Sequence, residues 1–320
     1  ESGRLHEIEA ILKNCLDNGN FTKQEQVQAY KILTNAYLYL EEPELADQTM
    51  LKLLATDHFF VINEAIDPAE FIALYRTFRV TPLFRWGFKP IGATATMPAI
   101  IENRYVNGNA LGNGKFSPKI NLSIAAVFEK DFPGFFIKNF SIAPEVAYVA
   151  RTYNYNNETF NVSDQDPDIA AISQKQNLLK QQWLDLNLLV QYKYKDNFVN
   201  PYIGIGPGIG YLLNSSNEIQ TEVVDTGTIT GSAIPTKSSY KSLSYSAMVT
   251  LGVKYRLGAF YLTGDIRYQY GLNNVVNKST RSNDEALFDY GYVPSDLRQN
   301  NVSVHLGFVV PYFNPKKLTK

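Results

Sequence analysis

Between Ser242 and Leu257 apolar and polar side chains alternate without a break in register. Leu243, Tyr245, Ala247, Val249, Leu251, Val253, Tyr255 and Leu257 share one face, and Ser242, Ser244, Ser246, Thr250, Gly252, Lys254 and Arg256 share the other, with Met248 the one exception. A period of two is that of a β-strand with two unlike faces. A run of this length is longer than most strands of soluble domains. A strand that crosses a bilayer at a tilt needs about 9–11 residues and is often prolonged beyond the lipid.

The same period recurs through the last three quarters of the chain. Residues 184–194 set Leu184, Leu186, Leu188, Val190, Tyr192 and Tyr194 against Asp185, Asn187, Gln191 and Lys193. Residues 203–213 set isoleucines and Tyr211 against Gly204, Gly206, Gly208 and Gly210; residues 260–270 set Leu262, Ile266, Tyr268 and Tyr270 against Thr263, Asp265, Arg267 and Gln269. Residues 302–312 put Ser303, His305 and Gly307 on the polar face. Residues 119–128 and 139–151 carry Lys119, Asn121, Glu145 and Arg151 there, and 82–96 alternates Phe84, Trp86 and Phe88 with Arg85, Gly87 and Lys89 despite Pro82 and Pro90. That makes eight strands. Short connections are expected near Lys130–Gly134, Lys195–Asn197 and Arg256–Gly258, and long polar ones over about 103–115, 153–178, 214–240 and 273–299. Short turns on one side and long loops on the other are the pattern of an outer-membrane barrel.

Alternation alone also allows a soluble, lipocalin-like barrel with its apolar face inward. Three features favour the membrane: the bulk of the apolar face against the Gly, Ser, Thr and charges opposite, the unequal loops, and tyrosines toward the strand ends. Tyr148, Tyr192, Tyr194, Tyr255, Tyr268 and Tyr270 resemble an aromatic girdle. On this reading Arg85, Lys89, Lys119, Glu145, Arg151, Asp185, Lys193, Lys254, Asp265, Arg267 and His305 face the lumen. An eight-stranded interior is just wide enough to be filled by side chains, so a salt-bridge network closing the lumen is expected ahead of a narrow basic passage or a ligand site.

Residues before about 78 have a different period. Leu5, Ile8, Leu12 and Leu16 are spaced for a helix that ends at Asn18-Gly19-Asn20. Thr22 with Glu25 forms a capping box for a second helix, lined by Tyr30, Leu33, Tyr37 and Leu40. Pro43 breaks it, a third helix carries Ala46, Met50, Leu53 and Leu54, and Asp67-Pro68-Ala69-Glu70 starts a fourth with Asp67 as cap. Residues 1–77 hold 13 Asp and Glu against 6 Lys and Arg, whereas the rest holds 18 against 24. The change of period and of charge sign marks a boundary at 78. The expected organisation is a small all-α domain over 1–78, a transmembrane antiparallel β-barrel of about eight strands over 79–313, and a tail over 314–320.

Ala29-Tyr30, Leu33, Ala36-Tyr37 and Ala46 resemble the large–small alternation of tetratricopeptide repeats, over perhaps residues 5–56 and without the repeat's Trp and Gly-Tyr positions. So short an array needs something to pack on, either the barrel it plugs or caps, or a partner protein. The barrel portion resembles the small OmpA/OmpX/OmpW-like barrels in the porin-family form of Bacteroidota, with Asn301–Phe308 similar to their closing strand. In that family the chain's last aromatic residue serves assembly; here the candidate, Phe313, is followed by seven more residues. The resemblance implies a bacterial outer-membrane location, a periplasmic N-terminal domain, contact with outer-membrane lipids or lipopolysaccharide, and membership of a secretion, gliding or uptake assembly through residues 1–78. The start at Glu1-Ser2-Gly3, without Met, reads as a processed chain.

Little chemistry is legible beyond this. His6, His58 and His305 are isolated and Cys15 is the only cysteine, so no metal or cofactor site is expected and no disulfide can form within the chain. Gly204–Gly210 is not a G-x-G-x-x-G opening a helix, no nucleophile motif stands out, and no basic run with interleaved aromatics points to nucleic acid. The expected function is therefore a non-enzymatic anchor or scaffold. The alternative is a small pore or carrier for hydrophobic or anionic solutes.

Overall fold

The computed structural model describes residues 5–17, 19, 21–103, 115–132, 139–157, 172–194, 198–223, 227–283 and 293–318. The chain divides into two compact units, one of residues 1–84 with 311–320 and the other of residues 85–310.

The first unit holds four helices, α1 (Leu5–Asp17), α2 (Lys23–Tyr39), α3 (Pro43–Thr56) and α4 (Ala69–Tyr75). The Thr22/Glu25 capping box is formed in full, satisfying two backbone donors that a helix start leaves open. Ala46 is completely buried beside Leu33 and Tyr37, where its small side chain lets α3 approach α2. Met50, Leu53, Leu54, Phe71, Tyr75 and Phe78 make a second cluster. At α4 the cap position falls on Pro68, not on Asp67. The Asp67 carboxylate instead accepts from the backbone N–H of Asn63 at 2.8 Å and pairs with Lys31. The segment after 313, expected as a C-terminal tail, groups with this unit. Leu318 N donates to Thr77 O at 2.8 Å, Arg79 N to Lys316 O at 2.9 Å, and the Arg79 guanidinium holds Asn314 O. Phe313 stacks on His58 with centroids 5.1 Å apart and meets Phe59 edge-on. No helix among the described residues is long and apolar enough to cross a membrane.

The second unit is an antiparallel sheet bent into a ring of about eight long strands: β1 (Phe84–Ile100), β3 (Ile120–Asp131), β4 (Phe140–Asn157), β5 (Ile172–Lys193), β6 (Val199–Val223), β9 (Leu243–Leu257), β10 (Phe260–Gly271) and β11 (Leu297–Tyr312). Sequential strands pair, β1 neighbours β11, and β6 neighbours β9. Three short strands, β2 (Lys115–Pro118), β7 (Gly227–Thr230) and β8 (Ile234–Pro235), extend the ladder at the long-loop end. Gly258, at φ +61°, makes the tight β9–β10 turn. Residues 133–138 and 195–197, expected as turns, lie outside the described residues, as does most of the expected loop 103–115.

The expected loops 153–178 and 214–240 are partly strand, since β4, β5 and β6 run on to Asn157, from Ile172 and to Val223. In their outer parts the outward positions are polar, among them Asn154, Asn156, Asn214 and Glu218, while the apolar Tyr153, Tyr155, Leu179 and Ile219 are buried inward. The ladder continues there after the outward apolar face has stopped. Two bulges flip the parity of a strand. On β1 the inward set changes from Arg85, Gly87 and Lys89 to Gly92, Thr94 and Thr96 across Pro90, where a missing N–H is tolerated. On β6 it changes from Leu212 to Ser215.

Candidate functional site

Inside the ring the buried faces carry most of the polar and charged side chains together with apolar clusters, one of Val127, Ala143, Leu189, Met248 and Val309, while many of the large apolar residues of the same strands are exposed on the outside. The inward charges form three tiers. Nearest the short-turn end, Arg85 pairs with Asp131 at 2.7 Å, Lys193 reaches Asp131 at 2.9 Å and Glu129 at 3.3 Å, and Lys254 pairs with Glu129 and touches Gln191 at 3.2 Å. In the middle tier Glu145 receives Lys89 at 2.8 Å, both Arg267 nitrogens at 2.5 and 3.0 Å, and Asn187 at 3.2 Å. Asp265 receives Lys89 at 2.7 Å, His305 Nδ1 at 3.2 Å and the Tyr202 hydroxyl at 3.2 Å. Toward the long loops Arg151 pairs with Asp185 at 2.6 Å, donates to Gln299 and lies 4.8 Å over the Trp183 ring.

Six Lys and Arg side chains and five carboxylates are thus interleaved, so their charges nearly balance. Desolvating these groups is costly, and the mutual pairing is what offsets it. Two glycines make the geometry possible. A Cβ on Gly252 would lie 2.4 Å from the Tyr202 ring, which fills that space and carries Lys254 Nζ over its face at 4.6 Å. A Cβ on Gly92 would lie 2.2 Å from Ser123 Oγ and 2.8 Å from the His305 ring, so the glycine lets His305 reach across β1.

Of the residues expected in the lumen, all but Lys119 join these tiers. Lys119 sits between β2 and β3 with an exposed side chain. The alternation over 119–128 puts it on the polar face, but β2 ends at Pro118 and β3 starts at Ile120, so Lys119 belongs to neither strand. Glu129, Asp131 and Tyr202 are the members the sequence reading lacks. Each lies just beyond a strand end drawn too early, and continuing the alternation from Val127 would reach Glu129.

Ser123 Oγ, His305 Nε2 and Asp265 form a hydrogen-bonded series, at 3.4 Å and 3.2 Å. This is the order of nucleophile, base and orienting carboxylate. Ser123 Oγ also hydrogen-bonds Thr94 Oγ1 at 3.2 Å, and it is buried, with a Cβ on Gly92 falling 2.2 Å from it. Among the described residues no group of three His, Cys, Asp or Glu is placed to hold a metal ion.

Outside, Tyr148, Tyr192, Tyr194, Tyr255, Tyr268 and Tyr270 are all exposed. Tyr192, Tyr194 and Tyr255 lie toward the short turns, and Tyr148, Tyr268 and Tyr270 toward the long loops, where Tyr211 and Tyr245 join them. On β9 the outward residues between Tyr245 and Tyr255 are Ala247, Val249, Leu251 and Val253. Ten residue steps at ~3.3 Å, tilted by ~40°, span roughly 25 Å, the height of the apolar band of an outer-membrane barrel.

Residues 84–277 match the family model described as "Outer membrane protein beta-barrel domain". The chain belongs to this family. It is an outer-membrane β-barrel protein, and the family places it in the bacterial outer membrane. No curated protein matches it significantly. Among solved structures it is similar to neisserial surface protein A (15% identity, 72% of this chain and 97% of that one covered, TM-score 0.34). It is similar also to the outer membrane protein OprG from Pseudomonas aeruginosa (13%, 73% and 97%, TM-score 0.37) and to the outer membrane enzyme PagL (12%, 69% and 98%, TM-score 0.29).

Proposed function

We propose that this outer-membrane barrel is an anchor rather than a conduit or an enzyme. It holds a periplasmic helical unit at the inner face of the membrane as part of a larger outer-membrane assembly. The observation that carries this reading is the lumen. Its charges are paired in three tiers, fully buried in the middle one and partly exposed only at Arg85, Asp131 and Lys193 near the short turns, and an apolar cluster that includes Tyr153, Leu179, Trp183, Leu212, Val275 and Val276 lies beyond them toward the long loops. A water-filled pore would leave such groups hydrated.

The outward band between the two tyrosine levels supports a seat among lipid tails, with lipopolysaccharide as the neighbour at the long-loop side. With an even number of strands, both ends of the barrel leave on the short-turn side, which supports a periplasmic position for residues 1–78. That unit offers a groove of about 860 Å³ whose lining includes Leu12, Phe21, Val27, Ile32, Asp57 and Phe60. Its acidic balance suits a partner with basic contact residues.

The test is extraction of the tagged protein from its native membrane in mild detergent, with mass spectrometry of what accompanies it. A stoichiometric partner lost on deletion of residues 1–77 is the expected result. If every partner contact survives that deletion, the anchor reading fails. Steady single-channel conductance of the full chain in planar bilayers would favour a pore instead.

A further inference from the structure

The chain after β10 does not simply leave the barrel. It folds back over the long-loop end of the lumen and delivers Val275 and Val276, both with no exposed surface, onto Tyr153, Trp183, Leu212 and Leu297. A second segment lies against it. Tyr240 bridges to Val276, Asn277 N donates to Ser239 O at 3.0 Å, and Thr280 Oγ1 donates to Ser238 O at 2.6 Å. Thr236 in turn meets Ser215 of β6, with the two hydroxyls 2.9 Å apart.

One buried carboxylate collects the attachments. Asp296, just before β11, accepts from Arg281 at 2.5 Å and from Asn274 at 2.7 Å through Oδ1, and from Asn103 at 3.0 Å through Oδ2. The side chains it holds fix their own surroundings. Asn274 Oδ1 accepts from Val276 N and Leu297 N, and Arg281 donates to Pro294 O. The segment at Asn103, distant in sequence, and the segment 274–281 therefore both meet at Asp296, which is itself fully buried. Apolar packing alone would seat Val275 and Val276 loosely. A buried, fully occupied carboxylate fixes one arrangement and leaves several donors unsatisfied if it is removed.

We propose that segments 234–241 and 272–281 form a lid over the outer end of the lumen, with Asp296 as the latch that keeps it shut. The lid is a device separate from the charge tiers. It decides whether Trp183 and the Arg151 layer beside it face the outside or are sealed from it, while the tiers further in stay closed.

Trp183 is the reporter, because the other tryptophan, Trp86, sits on the outward face of β1 and can be replaced by phenylalanine. With the full chain folded in phospholipid vesicles, Trp183 is expected to be shielded from acrylamide. Asp296→Ala is expected to raise its quenching constant at least about threefold. In a Cys15→Ser background, Val276→Cys is expected to react with a membrane-impermeant maleimide at least about tenfold faster when Asp296 is also replaced, while Ser123→Cys, deep in the lumen, stays unreactive in both. A folded Asp296→Ala protein whose Trp183 and Val276→Cys are as shielded as in the parent overturns the proposal. So does equal labelling of Ser123→Cys, which would mean that the whole barrel has loosened. If Asp296→Ala does not fold, Asn274→Ala and Arg281→Ala each remove one donor to the latch. Both must then give intermediate exposure of Trp183, and failure of both to do so overturns the proposal equally.

Discussion

Replacement of Glu145 by alanine tests whether the lumen is dry. The Glu145 carboxylate has no exposed surface and is shared by Lys89 at 2.8 Å and by both terminal nitrogens of Arg267. Without it, two buried cations are left with Asp265, which is 2.7 Å from Lys89 but 3.9 Å from Arg267. Removing one partner from a buried ionic cluster costs about 3–5 kcal/mol because the other charge is left uncompensated. With a urea dependence of about 2 kcal/mol per molar, that is a midpoint lowered by roughly 2 M. The assay is reversible urea unfolding in phospholipid vesicles, read by tryptophan fluorescence. Adding Lys89→Met to Glu145→Ala removes one of the stranded charges. The double variant should then be less destabilised than the sum of the singles by more than ~1 kcal/mol. In a water-filled lumen the same pair would behave as an exposed one, worth about 0–1 kcal/mol. A Glu145→Ala midpoint within about 0.3 M of the parent, with additive singles, would therefore refute the closed-lumen reasoning.

Gly252→Ala should lower stability by about 1–3 kcal/mol, since its Cβ would stand 2.4 Å from a Tyr202 ring that cannot yield without leaving Lys254 and Asp265; the same urea titration measures it. Phe313→Ala removes a ring stacked on His58 and edge-on to Phe59, a loss of about 2 kcal/mol that should appear as faster amide exchange in residues 57–79 of the full chain and leave the barrel strands unchanged. Burial opposes ionisation of Asp67, but Lys31 and the Asn63 N–H outweigh it and hold its carboxyl below the ordinary value of 3.8. The resulting stabilisation is present above that value and is lost as pH falls through the lower, folded one. The helical unit should therefore be insensitive to pH from 7 to 5 and weaken below about 4. Near-ultraviolet circular dichroism should show that acid step reduced in Asp67→Asn. Asp296 is held low in the same sense, with burial opposed by Arg281, Asn274 and Asn103. Acrylamide shielding of Trp183 should accordingly persist to about pH 4.

The barrel was legible because each face of its strands has one environment over many residues. In 184–194 and 242–257 the alternation is interrupted only by the inward Leu189 and Met248, and both segments lie where the spacing puts them. Legibility fails wherever an environment changes along a strand. Beyond Trp183 on β5 and Leu213 on β6 the outward face turns polar while apolar side chains such as Leu179 and Ile219 turn inward, so hydrogen-bonded strand reads as loop. At Pro90 a bulge reverses the parity of β1, and no spacing rule extrapolates through it. The lumen tiers were legible as a set of charges but not as a set of pairs. Lys89, Glu145, Asp265 and Arg267 lie on four strands, and which of them meet depends on the stagger of the ring, which no local pattern records. The lid was illegible for a related reason. Asn274, Arg281 and Asp296 look like ordinary loop residues, and only the fold brings them to one carboxylate.

The barrel is the inverse of a soluble domain, and that inversion bears on where its function resides. Its outer apolar band gains nothing from burial against protein, so the drive to fold comes from lipid, while the choice of one ring geometry falls to the polar interior. Each buried carboxylate there accepts from a cation, and in the middle tier Glu145 and Asp265 each accept from several donors. Displacing one of these groups to admit a solute would strand its partners, at a cost that a weakly bound solute could not repay. Under the anchor reading, an interior so committed to its own structure is a frame and not a binding site, and the parts able to respond to another molecule are the ends: the helical unit with its groove on the periplasmic side, and the lid held by Asp296 on the outer side.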